Sequence, residues 1–278
     1  MKRFAVFACL AVFCSLLAAG SPGAEIPGDL DAFTRESWKN LESLYGVPDS
    51  LRGAPIAVSI VPTPRDLPPE WANLPPYAAG AAVEEQGRVA VLVWKCGAYP
   101  FGDVRQTLVH ELSHVLLYRA LGRRPPRWLD EGLAMRASRE WGASDGLYSL
   151  LALRSVAHGG WNLARVERDF AGGESPVRGS YALVKGFVRD LFRGDAEVGA
   201  FLEDARRLGS VDAAFVARFG MTPDRAFANW AKNLPWWGEW LVWISSPAVL
   251  WMVVGALFLL AALAAFRRRR AKYEALPD

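Results

Sequence analysis

Val109-His110-Glu111-Leu112-Ser113-His114-Val115 lies in the middle of the strongest helical pattern in the chain. That pattern spans 103–121, with Val104, Leu108, Val109, Leu112, Val115 and Leu116 apolar. Asp103 stands at the capping position and Gln106 follows three residues later, the arrangement of a capping box. Gly122 and then Pro125-Pro126 stop the helix. Histidines four apart on a helix share one face, one turn apart, so both imidazoles reach a single ion. Glu111 is rotated by about 100° from His110, which puts it beside such an ion, where it can take a proton from water. Neutral imidazole is a natural zinc ligand, and three protein ligands with one water make a catalytic zinc site. Zinc lowers the pKa of its water to about 7, giving a nucleophile at neutral pH. The ordinary alternative is a pair of surface or core histidines flanking a solvated glutamate. It fits poorly with so apolar a helix, because buried ionisable groups need partners.

A third ligand is required. The position six residues after His114 holds Ala120, and Leu117 stands where a glycine would be needed for a third histidine there. His158 is the only other histidine, and no motif surrounds it. Glu131 is the better choice. The first helix ends soon after His114, a Gly-Pro turn follows, and a second helix over 127–141 returns antiparallel, bringing Glu131 back beside the two histidines. Gly132 next to it would allow close backbone approach. Asp130 remains an outer partner for a histidine N–H, a role such sites usually fill.

His110–His114 followed by Arg127-Trp128-Leu129-Asp130-Glu131-Gly132-Leu133-Ala134 resembles the gluzincin zinc metallopeptidases, closest to the zinc aminopeptidase clan and its peptidase-MA-like relatives. The resemblance covers about 88–234 and implies an α+β, zincin-like domain: a small N-terminal sheet, then mainly helices. It implies that Glu131 completes the metal shell of one zinc ion. It also implies that Tyr181, in Ser180-Tyr181-Ala182-Leu183-Val184, donates to the oxyanion, with Tyr148 a weaker candidate; as a plain core aromatic, Tyr181 would instead pack with Val184 and Val188. The strand over 88–95 fits the one that runs along the cleft in such enzymes, where an edge strand pairs with an extended peptide. One feature departs from the clan. The Gly-x-Met-Glu-Asn segment that holds a free amine has no counterpart, since this strand reads Val-Leu-Val-Trp-Lys-Cys-Gly. An endopeptidase is therefore expected rather than an aminopeptidase.

The ends of the 278-residue chain carry other signals. Residues 1–24 read as a signal peptide: Lys2 and Arg3, then an apolar run, then small residues at 18–20. An uncleaved N-terminal anchor is the alternative. Residues 241–266 form an apolar run of roughly the 20 residues that cross a bilayer. Tryptophans 236, 237, 240 and 243 precede it and Arg267–Arg270 follow, so 267–278 would be a cytoplasmic basic tail. The expected fold class thus ends in one C-terminal transmembrane helix. Residues 25–235 would form the extracytoplasmic domain of an inner-membrane protein, with the bilayer as one partner. Two of the three cysteines fall in the signal, leaving Cys96 alone and no internal disulfide. The formal charge of +3 owes much to the arginine block, so composition gives no case for nucleic acid.

Elsewhere a helix is expected over 31–45, closed by Gly46, and a strand over 56–61. A loop with six prolines covers 62–76. Later helices are expected over 146–156, 181–192, 198–208, 211–219 and 223–234. The function these features imply is a zinc-dependent peptidase acting on protein or peptide in the cell envelope, with Glu111 as base. A non-catalytic zinc-binding scaffold of an envelope complex, or a zinc hydrolase of a non-peptide amide or ester, would share the same motif.

Overall fold

The structure, a computed structural model, describes residues 26–75, 78–97, 102–139, 162–170 and 174–233, with separate helical positions between 252 and 266. Helix α1, Leu30–Tyr45, ends at Gly46, whose φ of 61° is a left-handed conformation that glycine adopts without steric cost. Strand β1, Ala57–Val61, leads through the proline-rich stretch, which contains two 3₁₀ turns, Pro64–Asp66 and Pro69–Trp71. Strands β2, Gly80–Val83, and β3, Arg88–Leu92, follow. The sheet has the order β1-β3-β2, parallel between β1 and β3 and antiparallel between β2 and β3. As the central strand, β3 is buried from Val89 to Leu92, which explains its apolar residues on both faces. The expected strand over 88–95 is shorter because Val93–Lys95 turns into a 3₁₀ helix.

Helix α2, Val104–Leu121, is the axle of the fold. The Gln106 N–H donates to Asp103 Oδ1 at 2.9 Å, and the Asp103 N–H to Gln106 Oε1 at 3.0 Å, closing the capping box read from the sequence. Leu108, Leu112, Leu116 and Leu117 are fully buried, because α1, the sheet and the next helix cover the axle from different sides. That next helix, α3, Arg127–Ser138, runs back along α2. It stops three residues before the expected 141, at Arg139, whose φ is 54°. The Gln106 side chain donates to the Arg139 carbonyl at 3.2 Å and ties the end of α3 to the start of α2.

Helices α4, Leu163–Phe170; α5, Glu174–Leu191; α6, Asp195–Arg207; α7, Val211–Phe219; and α8, Pro223–Lys232, follow. Aromatic rings join them: Trp128 of α3 lies 5.7 Å from Phe187 of α5 and 6.0 Å from Phe215 of α7, centroid to centroid. Gly132 decides how closely α3 and α5 meet. A Cβ there would stand 2.4 Å from Val188 Cγ2 and 3.0 Å from Val184 Cγ1, so only glycine permits this approach.

The observed class is a mostly helical domain with one small three-stranded sheet. This corrects the expected class, α+β with a C-terminal transmembrane helix, in two respects. Strands of four or five residues are too small a layer to share the core equally with the helices. Among the described residues no helix is long and apolar enough to cross a membrane. The two longest described helices, α2 and α5 at 18 residues each, carry charged side chains such as Arg105, Glu111, Arg119 and Lys185, Arg189, Asp190. The 241–266 run lies largely outside the described residues, as do the signal-like start, the basic tail, Tyr148, His158 and the helix expected over 146–156. Helix α4 was not expected, although Asn162 caps it through the Arg165 N–H at 2.8 Å and Leu163 and Val166 are buried in helical spacing.

Candidate metal centre

His110 and His114 project from the same face of α2, their ring centroids 4.9 Å apart. Because α3 returns antiparallel along α2, Glu131 in its second turn meets both. Glu131 Oε2 stands 3.3 Å from His110 Nε2 and 3.9 Å from His114 Nε2. The three residues are buried, and one ligand atom from each lies within 4.8 Å of the others. The buried His110–His114–Glu131 group can hold a metal ion. Its chemistry fits that role: Glu131 Oε2 is buried without a hydrogen-bond partner, a costly state for a carboxylate oxygen unless a cation shares it. The other oxygen, Oε1, accepts from Arg127 Nη1 at 3.3 Å, which turns Oε2 toward the histidines.

Asp130 does more than its position on the helix promised. Its Oδ1 lies 2.7 Å from His114 Nδ1. A carboxylate only accepts, so Nδ1 carries the proton and Nε2 is left facing Glu131. The surroundings favour positive charge. Burial works against a charged His114, but the charge and hydrogen bond of Asp130, with Glu131, overcome it and push its pKa up to about 9. Burial would likewise raise the Glu131 carboxyl, yet the neighbouring imidazoles of His110 and His114 and the Arg127 guanidinium hold it at about 2. Asp130→Asn is expected to weaken metal binding by about 10–100-fold with the fold intact. Competition with a fluorescent chelator reads this; an unchanged affinity would leave Asp130 a structural residue only.

Behind the site, the Tyr45 hydroxyl is 2.5 Å from Ser113 Oγ and donates to the Leu133 carbonyl at 3.3 Å. One buried phenol thus joins α1 to both helices that carry the metal group. Nothing in the spacing of α1 announced this contact.

Glu111 is buried beside the metal group and lines the same cleft. Strand β2 lies directly over it: a Cβ on Gly80 would stand 2.6 Å from Glu111 Oε1 and 2.7 Å from its Cγ. The cleft, of about 300 Å³, is walled by Gly80, Ala81 and Ala82 on one side and by Phe170 and Tyr181 on another. Tyr181 therefore shares the cleft with the His110, Glu111, His114 and Glu131 group, its ring packed edge-on against Phe170 at 5.0 Å.

The strand expected along the cleft was 88–95, and the structure corrects this. β3 has a neighbour on each side, so it offers no free backbone edge. β1 and β2 stand at the two edges, and it is β2 whose residues line the cleft. Gly-Ala-Ala-Val gave little sign of it, because glycine and alanine are poor strand formers. Arg124, Arg127 and Glu84 also line the cleft and were not singled out from the sequence. Charged residues in a turn and a first helical turn ordinarily read as solvated surface. The chain matches no known protein family, no curated protein and no solved structure.

Proposed function

We propose that this domain is a zinc-dependent peptidase, and that the resemblance to gluzincins reflects shared chemistry. The observation that supports it most directly is the buried Glu111 beside a two-histidine, one-carboxylate group, in a cleft lined by the edge strand β2. Zinc suits the donor set. Ligands about 2.0–2.2 Å from a tetrahedral ion lie roughly 3.3–3.6 Å from each other; Glu131 Oε2 is 3.3 and 3.9 Å from the two imidazole nitrogens. When bound, zinc would supply Lewis acidity toward the scissile carbonyl and the attacking water.

The chain's own groups do the rest. The edge of β2 that has no strand partner among the described residues pairs with an extended peptide through main-chain hydrogen bonds and lays it across the cleft. Small residues at 80–82 keep side chains out of the way of that backbone. Glu111 takes a proton from the attacking water and returns it to the departing nitrogen. Tyr181 donates its hydroxyl to the oxygen on which negative charge develops. A pure metal-binding scaffold would need no carboxylate at the position of Glu111, and nothing in the cleft favours that reading. The absent amine-holding segment favours internal cleavage over removal of N-terminal residues. The signal-like pattern over 1–24 supports substrates in the cell envelope.

The test is digestion of a peptide library by the purified protein, with fragments identified by mass spectrometry. Cleavage is expected, lost on treatment with a chelator and restored by about one equivalent of zinc. Cleavage that survives full chelation would remove the metal from the mechanism, and no cleavage at all would remove the function. Tyr181→Phe is expected to lower kcat by about 10²–10³ with little change in KM, as loss of an oxyanion donor does. Equal kcat would return Tyr181 to a packing role against Phe170.

A further inference from the structure

Among the described residues, the charged groups of the cleft outside the metal group and Glu111 are Arg124, Arg127 and Glu84. Their exposures differ in a way that decides what a ligand meets. The side chains of Arg124 and Arg127 are 61% and 58% exposed, whereas Glu84 is 16% exposed and tucked beneath Arg124. Arg124 is held by two carboxylates and Arg127 by one. Arg124 Nη2 is 3.1 Å from Glu84 Oε2 and its Nε 3.7 Å from Glu85 Oε1; Arg127 Nη1 is 3.3 Å from Glu131 Oε1. A guanidinium carries five N–H donors in a planar fork, so both keep donors for a further acceptor. These tethers fix the guanidinium planes, which lowers the entropy cost of binding a carboxylate by two parallel hydrogen bonds. The facing wall of Gly80, Ala81 and Ala82 carries no charge. Arg124 and Arg127 are thus the exposed charges among the lining residues, and Arg127 stands at the N-terminus of α3, whose dipole end is positive.

We propose that Arg124 and Arg127 form a carboxylate-recognition subsite that selects peptides bearing a negative charge within one or two residues of the bond at Glu111. This rests on the peptidase reading for its purpose, but not for its measurement. A cleft of about 300 Å³ is at the small end for a ligand pocket, which keeps the recognised group close to the metal centre. The carboxylate comes either from an aspartate or glutamate side chain or from a free C-terminus; the chemistry is the same and the consequences differ. The first gives an endopeptidase with an acidic preference, the second an enzyme that trims chain ends.

Binding to the full-length Glu111→Gln protein with one equivalent of zinc separates the two sources. Four peptides of equal length, each with an uncharged dye, are compared by anisotropy. One is neutral and amidated; one has a single internal Glu and is amidated; one is neutral with a free C-terminus; one has a single internal Lys and is amidated. At least one carboxylate peptide is expected to bind about tenfold more tightly than the neutral amidated one, with the difference shrinking at high salt. Arg124→Gln is expected to reduce that difference. Arg124→Glu is expected to reverse it, so that the Lys peptide becomes the tighter ligand. Arg124 touches no metal ligand and is largely exposed, so both variants leave the metal group in place. Equal affinities for all four peptides would overturn the subsite, as would a carboxylate preference that neither Arg124 variant changes. Hydrolysis of the same peptides by the unmutated protein is read separately. A preserved carboxylate preference without cleavage would remove the peptidase and leave the subsite standing.

Discussion

Glu111→Gln is expected to keep its metal ion and lose hydrolysis by about 10²–10⁴-fold. The amide is isosteric with the carboxylate, so the close fit under Gly80 survives, as do the ligand atoms of His110, His114 and Glu131. On the proposed mechanism, what disappears is the group that would take a proton from water and give it to the leaving nitrogen, and general acid–base catalysis carries rate factors of that size. Two measurements on one preparation check this: metal content by atomic absorption and cleavage of the best library peptide. Retained metal with lost cleavage assigns the base. Undiminished cleavage would exclude Glu111 from the chemistry. Loss of metal as well would mean that Glu111 is a ligand rather than the base.

Glu131→Ala is expected to abolish stoichiometric metal binding, with a loss greater than the about 10–100-fold that removing an outer partner costs. The carboxylate is buried, stands within 3.3 Å of His110 Nε2, and supplies the only ligand atom of the group that does not come from α2. Without it two imidazoles on one helix face remain, and two neutral ligands hold a divalent ion weakly. The thermal readout is independent of catalysis. A ligand at 100 times its Kd stabilises the folded state by about 2.7 kcal/mol, so added zinc should raise the Tm of the unmutated protein and leave that of Glu131→Ala unmoved. An equal rise in both proteins would place the third ligand elsewhere.

Much of the centre was legible because it is local. The capping box at Asp103 and Gln106, the apolar pattern of α2 and the four-residue spacing of the histidines all depend on a single helix, where periodicity translates directly into facing. Glu131 was legible at one remove: a short Gly-Pro turn leaves α3 little choice but to return along α2. The edge strand was not legible. Gly80 to Ala82 have weak strand propensity, and β3, with its strong apolar pattern, drew the assignment to itself. Strand order is a nonlocal property, and the most apolar strand is usually the most buried one, hence the centre of a sheet and not its rim. The C-terminal apolar run over 241–266 lies largely outside the described residues, and among those no helix is long and apolar enough to cross a membrane.

The sequence by itself determined which atoms can hold a metal ion and which carboxylate stands ready beside them, because both follow from residue type and helical spacing. Only the tertiary structure decided what surrounds them. It put β2 over Glu111, gave Asp130 to His114 Nδ1, brought α5 against Gly132, and turned two ordinary surface arginines into the charged wall of the cleft. Each of these is a contact between segments far apart in the chain, fixed by how helices and strands pack rather than by any pattern within one of them.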